Sequence, residues 1–333
     1  MIKIEVAHKS QERAFDKSPK LEQSLNMAII SDKIEQEHLK YSGRILASCL
    51  LHLEKMLKPG LKAEEINLFS EKFIRSYEAV PPFLGYYGFP HSICVSINDE
   101  VVHALAEDKI LQAGDLVSLD LGVAYKELYT DAARTFLITE DGIDEQSTTD
   151  FLELLNSIEF KASFPAEKSF GRPSFFGANV HTASREDKLK LIQATHLGLF
   201  EGIRPLKSGS KVGDIGQAVN DWIKFYGYGN VTALGGHGVG RSLHEEPYIP
   251  HVGKKGSGKL LIENLVIAIE PMITMSDGRN VKFEAKNKYK WDVVKTSDSS
   301  LACHFEDTVI LTKKGHQILT RVDKTEILPI LDL

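Results

Sequence analysis

DLVSLDLGVAYKELYTDAARTFLI, residues 115–138, decides the fold reading. Positions 117, 119, 121 and 123 are apolar, so a strand through them turns Asp120 to the opposite face. A second strand-like run, 128–138, carries Asp131. With a hairpin turning at Tyr125–Lys126, Asp120 and Asp131 stand directly opposite across the ladder, with Cβ atoms about 5 Å apart. Two carboxylates at that distance repel unless a cation lies between them. The plainer reading is a pair of strand-end acids facing solvent, and the choice between the two depends on the rest of the chain.

Two further acids occupy equally apolar strands. Glu270 follows four apolar residues in VIAIEPM (266–272), and Pro271 after it cannot donate to a ladder, so pairing should break there and open the carboxylate to a cleft. Glu306 lies in CHFEDTVIL (303–311). A single buried Glu is usually an ion-pair partner, but four such carboxylates in one interior resist ionising, and two divalent cations would cancel their charge. GGHGVGRSLHEEP (235–247) adds His237, among glycines 235, 236, 238 and 240 that let the backbone crowd close to a centre. His237 and His244 are seven apart, so a regular strand would send them to opposite faces and a bend is needed to bring both to one site. One His among oxygens suits Mn, Fe, Co or Zn. The phosphate-loop reading is weak, because neither a GxxxxGK[ST] nor a strand-to-helix GxGxxG is present. His103 in DEVVHALA reads alone as structural, and Cys94 as a small pocket-lining residue rather than a nucleophile.

Strands at 92–98, 115–125, 128–138, 263–273 and 300–312 alternate with helical periodicity, giving an α/β (α+β) class with hairpin-linked antiparallel strands covered by helices. LKPGLKAEEI (57–66) repeats as LKSGSKVGDI (206–215), and FIRSY (73–77) as WIKFY (222–226). The repeat predicts two pseudo-symmetric halves, each with a helix pair. Residues 1–27 read as a mobile N-terminal extension, 28–333 as one catalytic domain, and 142–184, which holds six of the sixteen Phe, as an insertion. The net charge is −6 with no dense basic stretch, which argues against nucleic acid as a specific partner. Three cysteines without CxxC spacing argue against a disulfide framework. With neither a secretory leader nor an apolar run of membrane-spanning length, the expectation is a cytoplasmic protein without a membrane partner.

The motifs GYYGFPHSICVSINDEVVH (85–103), Asp–x10–Asp, GHGVGRSLHEEP, IEPM and FEDT, in this order, resemble those of type I methionine aminopeptidases, which share the pita-bread fold with prolidases and creatinases. The resemblance runs from about residue 27 to 322 apart from the insertion. It implies two divalent ions per chain, Co, Mn, Fe or Zn, held by Asp120, Asp131, His237, Glu270 and Glu306. A hydroxide bound between them would attack the first peptide bond of a nascent protein with a small second residue. It further implies that Glu270 moves the proton, that His103 and His244 steady the substrate, and that Tyr86, Phe89, Cys94, Leu243 and Trp291 form the methionine pocket. The implied partners are a peptide or nascent-chain N-terminus and the ribosome, and the implied state is a monomer. The chain departs from the family at Ala104-Leu105-Ala106, usually Gly-Ile-Pro, at Gly236, often Cys, and at Leu243, often Phe. None of these removes an expected ligand. The alternatives are an Xaa-Pro peptidase of the same fold, against which GFPHSICVSIND and Trp291 argue, and a non-catalytic binding protein, against which the complete ligand set argues.

Overall fold

The computed structural model describes residues 27–148 and 177–331. The expected N-terminal extension, apart from Met27, and the middle of the expected insertion lie outside the described residues. In the first half, helices α1 (Lys33–Met56) and α2 (Ala63–Ser76) precede strands β1 (Cys94–Ile97), β2 (Glu100–Val102), β3 (Leu116–Tyr125) and β4 (Leu128–Leu137). In the second half, α3 (Arg185–Ile203) and α4 (Val212–Phe225) precede β5 (Gly229–Asn230), β6 (Gly236–Gly238), β7 (Glu245–Ile249), β8 (Val266–Ile269) and β9 (Met272–Thr274). A hairpin, β10 (Val281–Glu284) and β11 (Val293–Thr296), then leads to β12 (Ala302–His304), β13 (Asp307–Leu311) and β14 (His316–Ile318). All ladders between these strands are antiparallel.

The repeat seen in the sequence is a structural one. Between α1 and α2, Gly60 (φ 87°) donates to the carbonyl of Leu111, and Leu111 donates to that of Leu61. Between α3 and α4, Gly209 (φ 100°) donates to Leu261, and Leu261 donates to Ser210. The left-handed conformation is one a glycine adopts without steric cost. Each second helix then begins alike, with the N3 acid (Glu65 in α2, Asp214 in α4) capping the backbone N–H of Lys62 or Lys211. The three-stranded order β1-β3-β4 is matched by β6-β8-β13.

In β3, β4, β8 and β13 every second residue packs on a helix pair. Val117, Leu119, Leu121, Val123, Ala132 and Phe136 pack with Ile45, Leu53, Ile66 and Phe73 of the first helix pair. Ile267, Ile269, Val309 and Leu311 pack with Leu191, Ile203, Ile215 and Val219 of the second. Each such buried Val, Leu, Ile or Phe side chain contributes about 1.5–3 kcal/mol. The alternate residues, Asp120, Asp131, Glu270 and Glu306 among them, are thereby turned away from the helices and towards the space between the halves.

The seam between the halves runs along β4 and the β12–β13 strand pair. Ala133 and Glu306 form a reciprocal backbone bridge. On one side Thr308 Oγ1 accepts the Asp131 N–H and donates to the Asp131 carbonyl, both at 2.8 Å. On the other, Thr135 Oγ1 accepts the His304 N–H at 3.1 Å and donates to its carbonyl at 2.7 Å. Behind the seam Arg134 donates to the Glu306 carbonyl and to Asp307 Oδ1 (2.6 Å), while Arg321 (2.8 Å) and Thr320 (2.7 Å) donate to the same carboxylate. The two guanidinium groups hold Asp307 below the usual carboxylate range despite its full burial. No helix among the described residues is long and apolar enough to cross a membrane.

Removing the Asp307 charge would leave two partly buried arginines without their shared partner. Asp307→Asn should therefore lower the unfolding free energy by about 3 kcal/mol. Urea unfolding checks this, and an unchanged midpoint would mean the triad adds nothing to the seam.

Candidate metal centre and substrate cavity

The β3–β4 hairpin corrects the expected register. Its turn residues are Lys126 and Glu127, both left-handed (φ 49° and 62°), and Tyr125 pairs with Leu128. This is the primed two-residue turn whose twist suits a hairpin. Tyr125 stays in the strand because its ring packs edge-on against Tyr41 at 4.8 Å and His38 at 5.7 Å. Asp120 consequently faces Ala133, and Asp131 faces Gly122. The two acids are diagonal neighbours on one face, not directly opposite. A Cβ at Gly122 would lie 2.9 Å from Pro82 and 3.0 Å from Phe83, so glycine here leaves room for an aromatic wall beside Asp131.

Strand breaks place the other two acids. Pairing stops between β8 and β9 at Glu270–Pro271; between β12 and β13 it lapses at Phe305, and Glu306 turns to bridge Ala133 of β4. Each interruption puts a glutamate at the mouth of its strand. His251 Nε2 accepts the Glu270 N–H at 3.2 Å, holding the backbone there. The glycines round His237 have a different role from the one expected: they admit neighbouring strands. A Cβ at Gly236 would sit 2.3 Å from the Ala268 carbonyl, and one at Gly238 2.2 Å from that of Glu246. Beyond β6 the chain bends through 239–244, and the rings of His237 and His244 meet at 4.3 Å.

The result is a cluster. Ligand atoms of Asp131, His237 and Glu306 lie within 4.8 Å of one another, and His237 Nε2 is 3.6 Å from Glu270 Oε1. His237 Nδ1 lies 2.9 Å from the Gly238 carbonyl, so an Nδ1–H there leaves the Nε2 lone pair turned to the acids. Burial pushes His237 down to about 4, which keeps it neutral at pH 7. Burial also pushes Asp120 up to about 7. Asp131 rises through burial and the Asp120 charge, and Glu270 and Glu306 through burial and the neighbouring acids. Asp120 Oδ1 and Asp131 Oδ1 are buried without a hydrogen-bond partner among the described residues. Buried carboxylate oxygens without donors are costly unless a cation or proton satisfies them, and this donor set fits divalent metal.

All five expected ligands line one cavity of about 400 Å³, together with His103, His244, Tyr86, Phe89, Cys94, Leu243 and Trp291. Phe89, Cys94 and Leu243 form an apolar cluster with Phe83 and Leu105, against which Tyr86 and Trp291 pack. The β10–β11 hairpin carries Trp291, whose Nε1–H donates to the His103 carbonyl at 3.0 Å. His103 itself is left-handed (φ 62°) and is lowered by burial to about 4. His244 Nδ1 and Tyr86 Oη are 2.8 Å apart. Sequence reasoning missed Phe83, Leu105 and His304. His304 had a signal: it stands two residues before Glu306 in a run read as one strand, which would put both on one face.

The profile of metallopeptidase family M24 matches residues 37–162 and 174–313. A methionine aminopeptidase of Clostridium acetobutylicum is 34% identical over 295 residues, 88% of this chain and 99% of that protein. The crystal structure of methionine aminopeptidase from Thermotoga maritima superposes with a TM-score of 0.71 at 30% identity, covering 89% of this chain and 100% of that one. An Xaa-Pro dipeptidase from Bacillus anthracis reaches a TM-score of 0.58 at 20% identity, covering 92% of this chain and 65% of that one, a likeness of fold alone. With the profile spanning most of its length and carboxylates and histidine gathered at the seam of a two-halved fold, this chain belongs to metallopeptidase family M24.

Proposed function

We propose that this chain is a metal-dependent aminopeptidase that removes the N-terminal methionine of peptides and nascent chains with a small second residue. One observation carries the reading: a carboxylate–histidine cluster with two donorless aspartate oxygens opens onto an aromatic recess in a single cavity. Similarity to methionine aminopeptidases along nearly their whole length supports it. Residues 28–333 form the catalytic unit, acting as a monomer in the cytoplasm on N-termini presented by the ribosome.

Asp120, Asp131, His237, Glu270 and Glu306 would hold two divalent ions, Co, Mn, Fe or Zn. When bound, such ions supply Lewis acidity and lower the pKa of water. The chain's own residues do the rest. Tyr86, Phe89, Cys94, Leu243 and Trp291 receive the methionine side chain, an unbranched thioether suited to aromatic and sulfur neighbours. Phe83 and Leu105 complete that wall. Burial keeps Tyr86 protonated, so its O–H donates to His244 Nδ1 and leaves Nε2–H to donate to the substrate. His103, neutral at working pH, offers a second donor to the peptide. Glu270, at the edge of the cluster, carries the proton to the leaving amine. Leu243 stands where the resemblance leads one to expect an aromatic ring, and its smaller wall should relax selectivity for methionine by roughly 1–3 kcal/mol.

Methionine release from Met-Ala-Ser but not from Met-Lys-Ser, by protein stripped with chelator and reloaded with Mn²⁺ or Co²⁺, tests the proposal. No release with any metal from folded protein would refute it. Asp131→Asn should lower turnover by orders of magnitude with the circular dichroism spectrum preserved, and near-parental turnover would count against the ligand assignment. His103→Ala should reduce turnover more than metal content, whereas equal loss of both would make His103 a ligand.

The raised carboxylates also predict a pH dependence. Metal-free folded protein holds more protons than the unfolded chain above about pH 4. These groups therefore withdraw stability as pH rises through about 7, the value for Asp120. Ions replace those protons, so the gap in unfolding temperature between loaded and stripped protein should widen from about pH 5.5 to about 7.5. A gap independent of pH would contradict this.

A further inference from the structure

The pseudo-symmetry extends into the candidate site and gives one residue there a role. Strand β3 corresponds to β8, which matches Asp120 with Glu270. Strand β4 corresponds to the β12–β13 pair, and strand pairing fixes how: Arg134 faces Leu119 as Asp307 faces Ile269, and Thr135 faces Ser118 as Thr308 faces Ala268. On this register Ala133 matches Glu306. These two residues bridge each other, so the symmetry axis passes between them. Asp131 then matches His304. The hydroxyls agree: Thr308 brackets the Asp131 backbone as Thr135 brackets that of His304.

Symmetry thus predicts that His304 addresses Glu270 as Asp131 addresses Asp120. Its side chain does so. The ring is buried, with Nε2 3.7 Å from Glu270 Oε2, while His237 Nε2 stands 3.6 Å from Oε1. Neither ring nitrogen of His304 has a hydrogen-bond partner among the described residues. A buried imidazole left in that state is costly, and the Glu270 carboxylate is the acceptor within reach. Catalytic hydrogen bonds are often this long in the absence of substrate and shorten in the reacting complex.

We propose that His304 is a positioning residue: its Nε2–H holds Glu270 Oε2, which keeps Oε1 beside His237 Nε2 in the cluster that would hold metal. The proposal rests on the reading of Glu270 and His237 as metal ligands. A ligating histidine or carboxylate is commonly oriented by such an outer partner, whose loss weakens metal binding or activity roughly 10–100-fold.

The test uses the full chain and two variants of similar size, His304→Gln, which keeps an amide donor, and His304→Leu, which does not. Calorimetric titration of the stripped proteins with Mn²⁺ is read beside kcat and KM for Met-Ala-Ser. The Leu variant should bind as many ions as the parent, with affinity weakened roughly 10–100-fold. Its kcat should fall with KM little changed, and the Gln variant should recover most of both losses. Parental affinity and kcat in the Leu variant would overturn the proposal. So would equal impairment of Gln and Leu, which would mark a packing role, or loss of one ion from the Leu stoichiometry, which would make His304 a ligand. A parent that takes up no Mn²⁺ would instead sink the reading beneath it, which keeps the two failures apart.

Discussion

Mutual repulsion among four carboxylates, three of them buried and Glu270 partly so, is the constraint round which this protein is built. Asp120, Asp131, Glu270 and Glu306 come from separate strands, are pushed above their ordinary pKa range, and leave two oxygens without donors among the described residues. Nothing in the apolar cores requires them. The fold holds them at unfavourable separations because each is fixed by its strand: the alternate residues are buried under helices, and the seam ties β4 to the β12–β13 pair through one backbone bridge and two threonine hydroxyls. The stability of that scaffold is what a bound cation draws on.

Asp307 shows how the same chain treats an acid it does not offer to a ligand. It neighbours Glu306 in sequence and is equally buried, yet two guanidinium groups and a hydroxyl satisfy it and hold its pKa low. The contrast between Asp307, held down by two guanidinium groups, and Glu306 one residue away, pushed up by burial and the neighbouring acids, separates a structural carboxylate from one kept for chemistry. Arg134 links the two, since it donates both to Asp307 and to the Glu306 carbonyl.

Strand-face assignments were legible in the sequence because the side-chain period of two is strict: apolar 117, 119, 121 and 123 fixed where Asp120 points, and Pro271 fixed the break at Glu270. The two halves were legible because Gly60 and Gly209 mark the same left-handed turn in each. The hairpin register was not, because the turn position depended on Tyr125 packing against Tyr41 and His38. A displacement of the turn by one residue made a facing pair of acids diagonal. The glycines near His237 were read as crowding a centre, whereas they admit the Ala268 and Glu246 carbonyls, contacts between strands remote in sequence. His304 escaped notice since a lone histidine in a strand carries no weight until its neighbour across the axis is known.

The central claim is that the cluster exists to bind divalent ions, and metal stoichiometry tests it most directly. Protein stripped with chelator and titrated with Mn²⁺ at neutral pH should take up two ions per chain and release protons as it does so, since the raised carboxylates give up theirs. Folded protein that takes up no Mn²⁺, or takes it up without releasing protons, would contradict the account.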